Sequence, residues 1–248
     1  MSEQLDFSSS LSSLRDLPSH IIVESFKVVD KFIKNSNVTP VQLFLKASLD
    51  QSYQFQELFQ RVTLLPDDEF IQTTGYRYNS GVVAIFEKPK FISEDQIEYP
   101  AVILNGLTKV ENVGAIVRSA SAFSFKTLII DQNTCSPFLR RAIRVSMGNI
   151  SLMRVHRTQN LKKLIKDSNA KVFATANLID SINFNDWKPE PHSAVIIGSE
   201  GHGVEGDIIK VCSDTIRIPI LNSVEHLNAS AAAAIICSKY SVLFDTTK

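Results

Sequence analysis

Apolar residues recur at helical spacing from Ile21 to Ile33, where Val23, Phe26, Val29, Phe32 and Ile33 predict one amphipathic helix. VQLFLKA at 41–47 is a continuous apolar run and predicts a strand. QELFQRV reads as a helix and VTLLP as a strand. DDEFIQTT reads as a helix whose leading acids suit the positive end of its dipole. After Gly75 a polar turn at 76–80 leads into GVVAIFEKP at 81–89, a strand closed by Pro89. Alternation of helix and strand predicts a small α/β domain over 18–92, behind a polar, Ser-rich lead at 1–17. The polar, acidic stretch 93–100 reads as a linker.

The remaining residues, 101–248, predict a second α/β domain. AVILN at 101–105 and TLIID at 127–131 read as strands flanking the helix NVGAIVRSASAF. PFLRRAIRVSMG is a helix with Pro137 at its start and Gly148 at its end. ISLMRV predicts a strand, QNLKKLIKDS a helix, KVFATAN a strand and SAVIIGS another. A short strand, Thr215 to Ile218, stops at Pro219 and gives way to a polar loop and a small-residue helix from Ala231 to Ala234, with Asn228 as its capping signal. Strands alternating with helices predict a parallel sheet covered on both faces.

Composition narrows the class. With 44% hydrophobic and 21% charged residues the chain can bury a sizeable core. Cys135, Cys212 and Cys237 are scattered and show no zinc spacing, so they read as reduced thiols of a cytoplasmic protein, and no metal site is expected. The longest small or apolar run, Ala229 to Cys237, is too short to span a bilayer. The zero net charge hides an asymmetry: 9 Lys/Arg against 14 Asp/Glu in 1–100, and 17 against 12 in 101–248. Within 140–171, Arg140, Arg141 and Arg144 open a basic run opposed only by Asp167, which marks them as candidate polyanion contacts. A solvated helical face is the alternative.

Four of the nine glycines, Gly198, Gly201, Gly203 and Gly206, fall directly after a predicted strand. Gly201 to Gly206 fits the dinucleotide pattern GxGxxG literally, but late in the chain and without an acid ending the next strand, so a nicotinamide-dependent enzyme is only a remote alternative.

Three stretches together are similar to the SpoU-type RNA ribose 2′-O-methyltransferases of the SPOUT superfamily. Asn112, Gly114, Arg118 and Ala120 match the first family motif; Gly198, Glu200, Gly201 and Gly203 the second; Ile218, Pro219, Leu227, Asn228, Ser230 and the alanines the third. The resemblance covers about 101–245. It implies an α/β fold whose parallel-sheet SPOUT domain carries a deep C-terminal trefoil knot, preceded here by a small α/β domain of RNA-binding type. It also implies S-adenosyl-L-methionine as cofactor, a homodimer that completes the site, and RNA as substrate, rRNA rather than tRNA. Gly198, Ile218 and Leu227 would hold the cofactor. Arg118, Asn112, Glu200 and Asn228 would form the catalytic set, with Arg118 holding phosphate and stabilising alkoxide, since a guanidinium does not act as a base. Three departures stand out: Lys109-Val110 replaces Asp-Pro, Ile220 replaces Met, and His226 replaces the Ser before Leu-Asn. The last leaves open a catalytically weakened RNA-binding relative.

Overall fold

The structure, a computed structural model, describes residues 17–35, 38–49, 55–75, 80–221 and 226–244. The lead expected at 1–17, apart from Leu17, lies outside these residues, as do 76–79 of the polar turn and 222–225 of the last loop. The chain forms two compact units. The first holds the described residues up to Pro89 together with Phe138–Ser151, and the second holds Lys90–Pro137 and the described residues from Leu152 onward.

In the first unit, β1 (His20–Glu24), α1 (Phe26–Lys34), β2 (Pro40–Lys46), β3 (Arg61–Leu65), α2 (Asp67–Thr74) and β4 (Val82–Glu87) build a four-stranded sheet of order β1-β4-β2-β3. β4 runs antiparallel to both its neighbours, and β2 and β3 are parallel. The single helix expected over 21–33 is therefore a strand followed by a helix. Ile21, Ile22 and Val23 are β-branched and buried, so they suit a strand of the sheet, here its β1 edge, and Ser25 with φ of 73° breaks the path before Phe26. The helix expected at QELFQRV is a 3₁₀ turn, Gln56–Leu58, and Arg61 and Val62 already belong to β3. α2 ends at Gly75, whose φ of 63° only glycine adopts without strain.

Phe138–Ser151 was expected in the second domain; it packs with the first unit instead. Its helix α4 is short, Arg140–Val145. Glu24, 3% exposed, accepts from Arg140 Nε and, at 3.4 Å, from Arg144 Nη1, while Arg140 Nη1 donates to the Thr74 carbonyl at 2.9 Å. A buried carboxylate needs such partners. Gly148 backs onto α1 so closely that a Cβ would sit 2.8 Å from Val28 Cγ1.

The second unit is built on seven strands: β5 (Ala101–Asn105), β6 (Thr127–Ile130), β7 (Arg154–Arg157), β8 (Lys171–Thr175), β9 (Ile182–Asn183), β10 (Ser193–Gly198) and β11 (Asp214–Arg217). Their order is β7-β6-β5-β10-β8-β11-β9, and every pairing is parallel. All of β5 and β10 is buried, as strands covered on both faces must be. α3 (Val110–Ala122), α5 (Leu161–Asp167), α6 (Gly206–Ile209) and α7 (Ala229–Ser238) complete the unit. β9 and α6 are too short to leave a periodic signature. α7 is held at its far end by Tyr240, which is buried, packs edge-on against Phe125 and Trp187, and shares a 2.7 Å hydrogen bond with Ser193. Among the described residues no helix is long and apolar enough to cross a membrane.

The register matters most for the site. Gly198 pairs with Asn105 at the ends of adjacent parallel strands. The loops after β5 and β10 therefore leave the sheet side by side, where ligands of open α/β sheets bind.

Candidate active site

Those two loops are locked together below the surface. Asn105, 2% exposed, donates through Nδ2 to Asp131 at 2.9 Å and accepts at Oδ1 from the Glu205 backbone N–H at 3.0 Å. Asp131 also receives the Gly106 N–H and the Thr134 hydroxyl, the latter at 2.6 Å. One amide side chain thus joins the ends of β5 and β6 to the loop after β10. Sequence reasoning missed this network. An amide closing a buried strand was the available hint, but its partners lie 26 and 100 residues away.

Above it, Glu200 gathers donors from two other stretches. Asn112 Nδ2 and Lys109 Nζ both donate to its carboxylate, and Asn228 Nδ2 donates at 2.8 Å. Asn228 also donates to Asn112 Oδ1 at 3.2 Å. Its own Oδ1 caps α7, accepting from the Ser230 N–H at 2.9 Å and the Ala231 N–H at 3.4 Å. Only an amide can serve both ends, because a carboxylate has no donor. Asn228→Ala is expected to cost about 1 kcal/mol in urea unfolding through loss of the cap. Asn228→Asp keeps the cap but sets a second carboxylate beside Glu200, and the two variants should differ in pH dependence.

The hydrogen bond from Lys109, then that from Asn112, holds the Glu200 carboxyl below the usual carboxylate range. Glu200 is consequently an anion and acceptor at neutral pH, not a proton donor. Because its folded-state value is depressed, its pairing stabilises the fold above the ordinary carboxylate range and fades as pH falls through the lowered value. Burial pushes the Cys212 thiol up to about 11 and Cys237 to about 12, so both stay protonated and unreactive at neutral pH.

Two cavities adjoin Glu200. The first, about 360 Å³, is walled by Ile197, Gly198, Ile216, Ile218, Ile220 and Leu227, with Thr175, Asn177 and His226 among its polar lining. The second, about 480 Å³, lies between the loop 106–109 and Ser199–His202, with Asn112 at its side. Ser199, Glu200, Gly201 and His202 border both.

Of the expected site residues, Gly198, Ile218 and Leu227 share the first cavity, and Asn112, Glu200 and Asn228 meet in one hydrogen-bonded cluster. Arg118 is not brought to them within the chain. It is exposed, lies six residues beyond Asn112 on α3, and lines neither cavity. Six residues correspond to roughly 9 Å along a helix and about 120° around it. Its guanidinium has no hydrogen bond or ion pair among the described residues.

The basic run is also divided. Arg140 and Arg144 serve Glu24 in the first unit, and Arg141 is exposed there. In the second unit Arg154, Lys162, Lys163 and Lys171 pair with Glu98, Asp207, Asp167 and Glu190. Counting charge along the chain overstated what is free to meet a polyanion. The GxGxxG turn leads only into the four-residue α6, far shorter than a dinucleotide-binding helix.

A parallel α/β sheet with a cavity and a polar cluster beyond its strand ends has the form of a ligand-binding α/β domain. Residues 100–238 match the family described as the SpoU rRNA Methylase family, and the chain belongs to that family. It is 32% identical over 136 residues to a Staphylococcus haemolyticus protein assigned to the TrmH family of tRNA/rRNA methyltransferases, a match covering 54% of this chain and 55% of that one. The chain thus spans about half the length of that relative. Among solved structures, an RNA methyltransferase assigned to the TrmH family from Porphyromonas gingivalis superposes with a TM-score of 0.81 at 22% identity, over 97% of both chains. The SpoU methyltransferase AviRb from Streptomyces viridochromogenes, in complex with the cofactor AdoMet, superposes with a TM-score of 0.80 at 18% identity, over 92% of this chain and 91% of that one. At those identities the likeness is one of fold.

Proposed function

We propose that the protein methylates a ribose 2′-hydroxyl in structured RNA, rRNA rather than tRNA, with S-adenosyl-L-methionine as the donor. The observation that carries this reading is the meeting of three distant motif segments at Glu200, between two adjoining cavities. The first cavity suits the cofactor: its size falls in the range of small-molecule sites, and its apolar walls with exposed strand-end backbone suit an adenosine. Gly198, Ile218 and Leu227 would hold it. When bound, the cofactor would supply an electrophilic methyl group on a sulfonium, whose neutral thioether is the leaving group.

The chain's own residues contribute placement and charge. Asn112, Glu200 and Asn228 fix the two loops and α7 about the reacting groups. Arg118 holds the neighbouring phosphate and stabilises the developing alkoxide. Its exposed position away from Glu200 supports a homodimer in which the second protomer brings its Arg118 to this site. The same reading includes a trefoil knot in the second unit. The four-stranded first unit would serve RNA binding, with Arg141 and Arg144 as candidate contacts.

His226 favours a second reading, since it lines the cofactor cavity where the family pattern has serine. On that reading the protein binds RNA without methylating it. Mapping of ribose methylation in RNA from cells with and without the protein separates the two. We expect loss of a defined 2′-O-methyl group without it, and identical maps would support the non-catalytic reading.

A further inference from the structure

Among the described residues that line the second cavity, Lys109 supplies the ammonium, and its position carries an inference that rests on the RNA-directed reading above. The Lys109 side chain is 68% exposed, while its partner Glu200 is 23% exposed. Lys109 is thus the outer member of the pair, at the end of a flexible stem. Glu200 has two other donors besides it, because Asn112 and Asn228 also donate to the same carboxylate. Exposed ion pairs are weak and exchange readily. Without a cation at this rim, the carboxylate would repel an RNA backbone approaching the cavity.

We propose that Lys109 is a phosphate-binding residue for the acceptor RNA: its ammonium swings from Glu200 to a phosphodiester as the nucleotide enters the cavity beside Ser199–His202. Glu200 parks the cation in the free protein, and the two asparagines keep Glu200 satisfied once the cation leaves.

The test is RNA affinity as a function of salt, using in vitro transcribed small- and large-subunit rRNA and a tRNA pool as probes. One lost phosphate contact lowers the slope of log K against log salt by about one. Lys109→Gln is expected to show that drop and weaker binding at low salt. Lys109→Arg should keep the wild-type slope. S-adenosyl-L-methionine affinity of Lys109→Gln, measured by titration, should equal that of wild type, because Lys109 does not line the first cavity. An unchanged slope in Lys109→Gln overturns the proposal. Methyl transfer with an unchanged Lys109→Gln slope defeats this inference alone. The expected slopes without any methyl transfer defeat the enzymatic reading alone. A wild-type protein that binds none of the RNAs defeats both.

Discussion

Arg118→Ala is expected to lower methyl transfer by roughly 10²–10³-fold, the cost of removing one preorganised group that meets charge developing in the transition state. Cofactor affinity should stay at the wild-type level, since Arg118 lines neither cavity. Stability should barely change, because the side chain is exposed and engages nothing among the described residues. The mechanism also predicts how mixed dimers behave. A protomer carrying Arg118→Ala, combined with a protomer whose cofactor cavity is disabled, should regain activity if each site borrows the other protomer's arginine. Each parent alone should be nearly inactive. Mixed dimers as inactive as their parents, from two proteins that still dimerise, would place the arginine's action within its own chain.

Gly198→Ala should abolish cofactor binding and destabilise the second unit by about 1–3 kcal/mol or more, the range for forcing atoms into a packed site. A Cβ at Gly198 would lie 2.0 Å from the Gly203 carbonyl carbon and 2.2 Å from the Val204 nitrogen. Both are backbone atoms and cannot rotate away. The clash opens the turn in which Ser199 and Gly203 exchange backbone hydrogen bonds of 3.1 and 2.8 Å. That turn forms a wall of the first cavity. Gly201→Ala is the control, because nothing lies within 4 Å of its added Cβ and it should unfold at nearly the wild-type temperature. Thermal unfolding and cofactor titration of both variants measure the difference. Equal behaviour of the two would show that the turn relaxes without consequence.

The glycines show how far the sequence could be read. Their clustering after a buried strand located the ligand loop, but Gly198 is needed for the approach of Gly203, whereas Gly203 supplies a φ of 69° and Gly201 stands in open space. Spacing marked all of them equally. The strands at 101–105 and 193–198 and the helix after Asn228 were legible because each is a local signal: a continuous buried apolar run, or a capping amide before small residues. The error at 21–33 has the same origin, since a few apolar residues satisfy two periods at once and only the pairing of Ile22 with Ile85 decides between them.

Local chemistry thus determined the alternation of strand and helix and the position of the glycine loop, while the family resemblance alone grouped Asn112, Glu200 and Asn228. The tertiary structure decided what those residues touch. It put Phe138–Ser151 with the first unit, gave Arg140 to Glu24, turned Arg118 away from its own cluster, and set Lys109 on the carboxylate of Glu200. Hydrophobic periodicity reports which way a residue faces within its own element. The partner across the gap depends on strand order and register, which are settled by contacts between residues up to 120 positions apart.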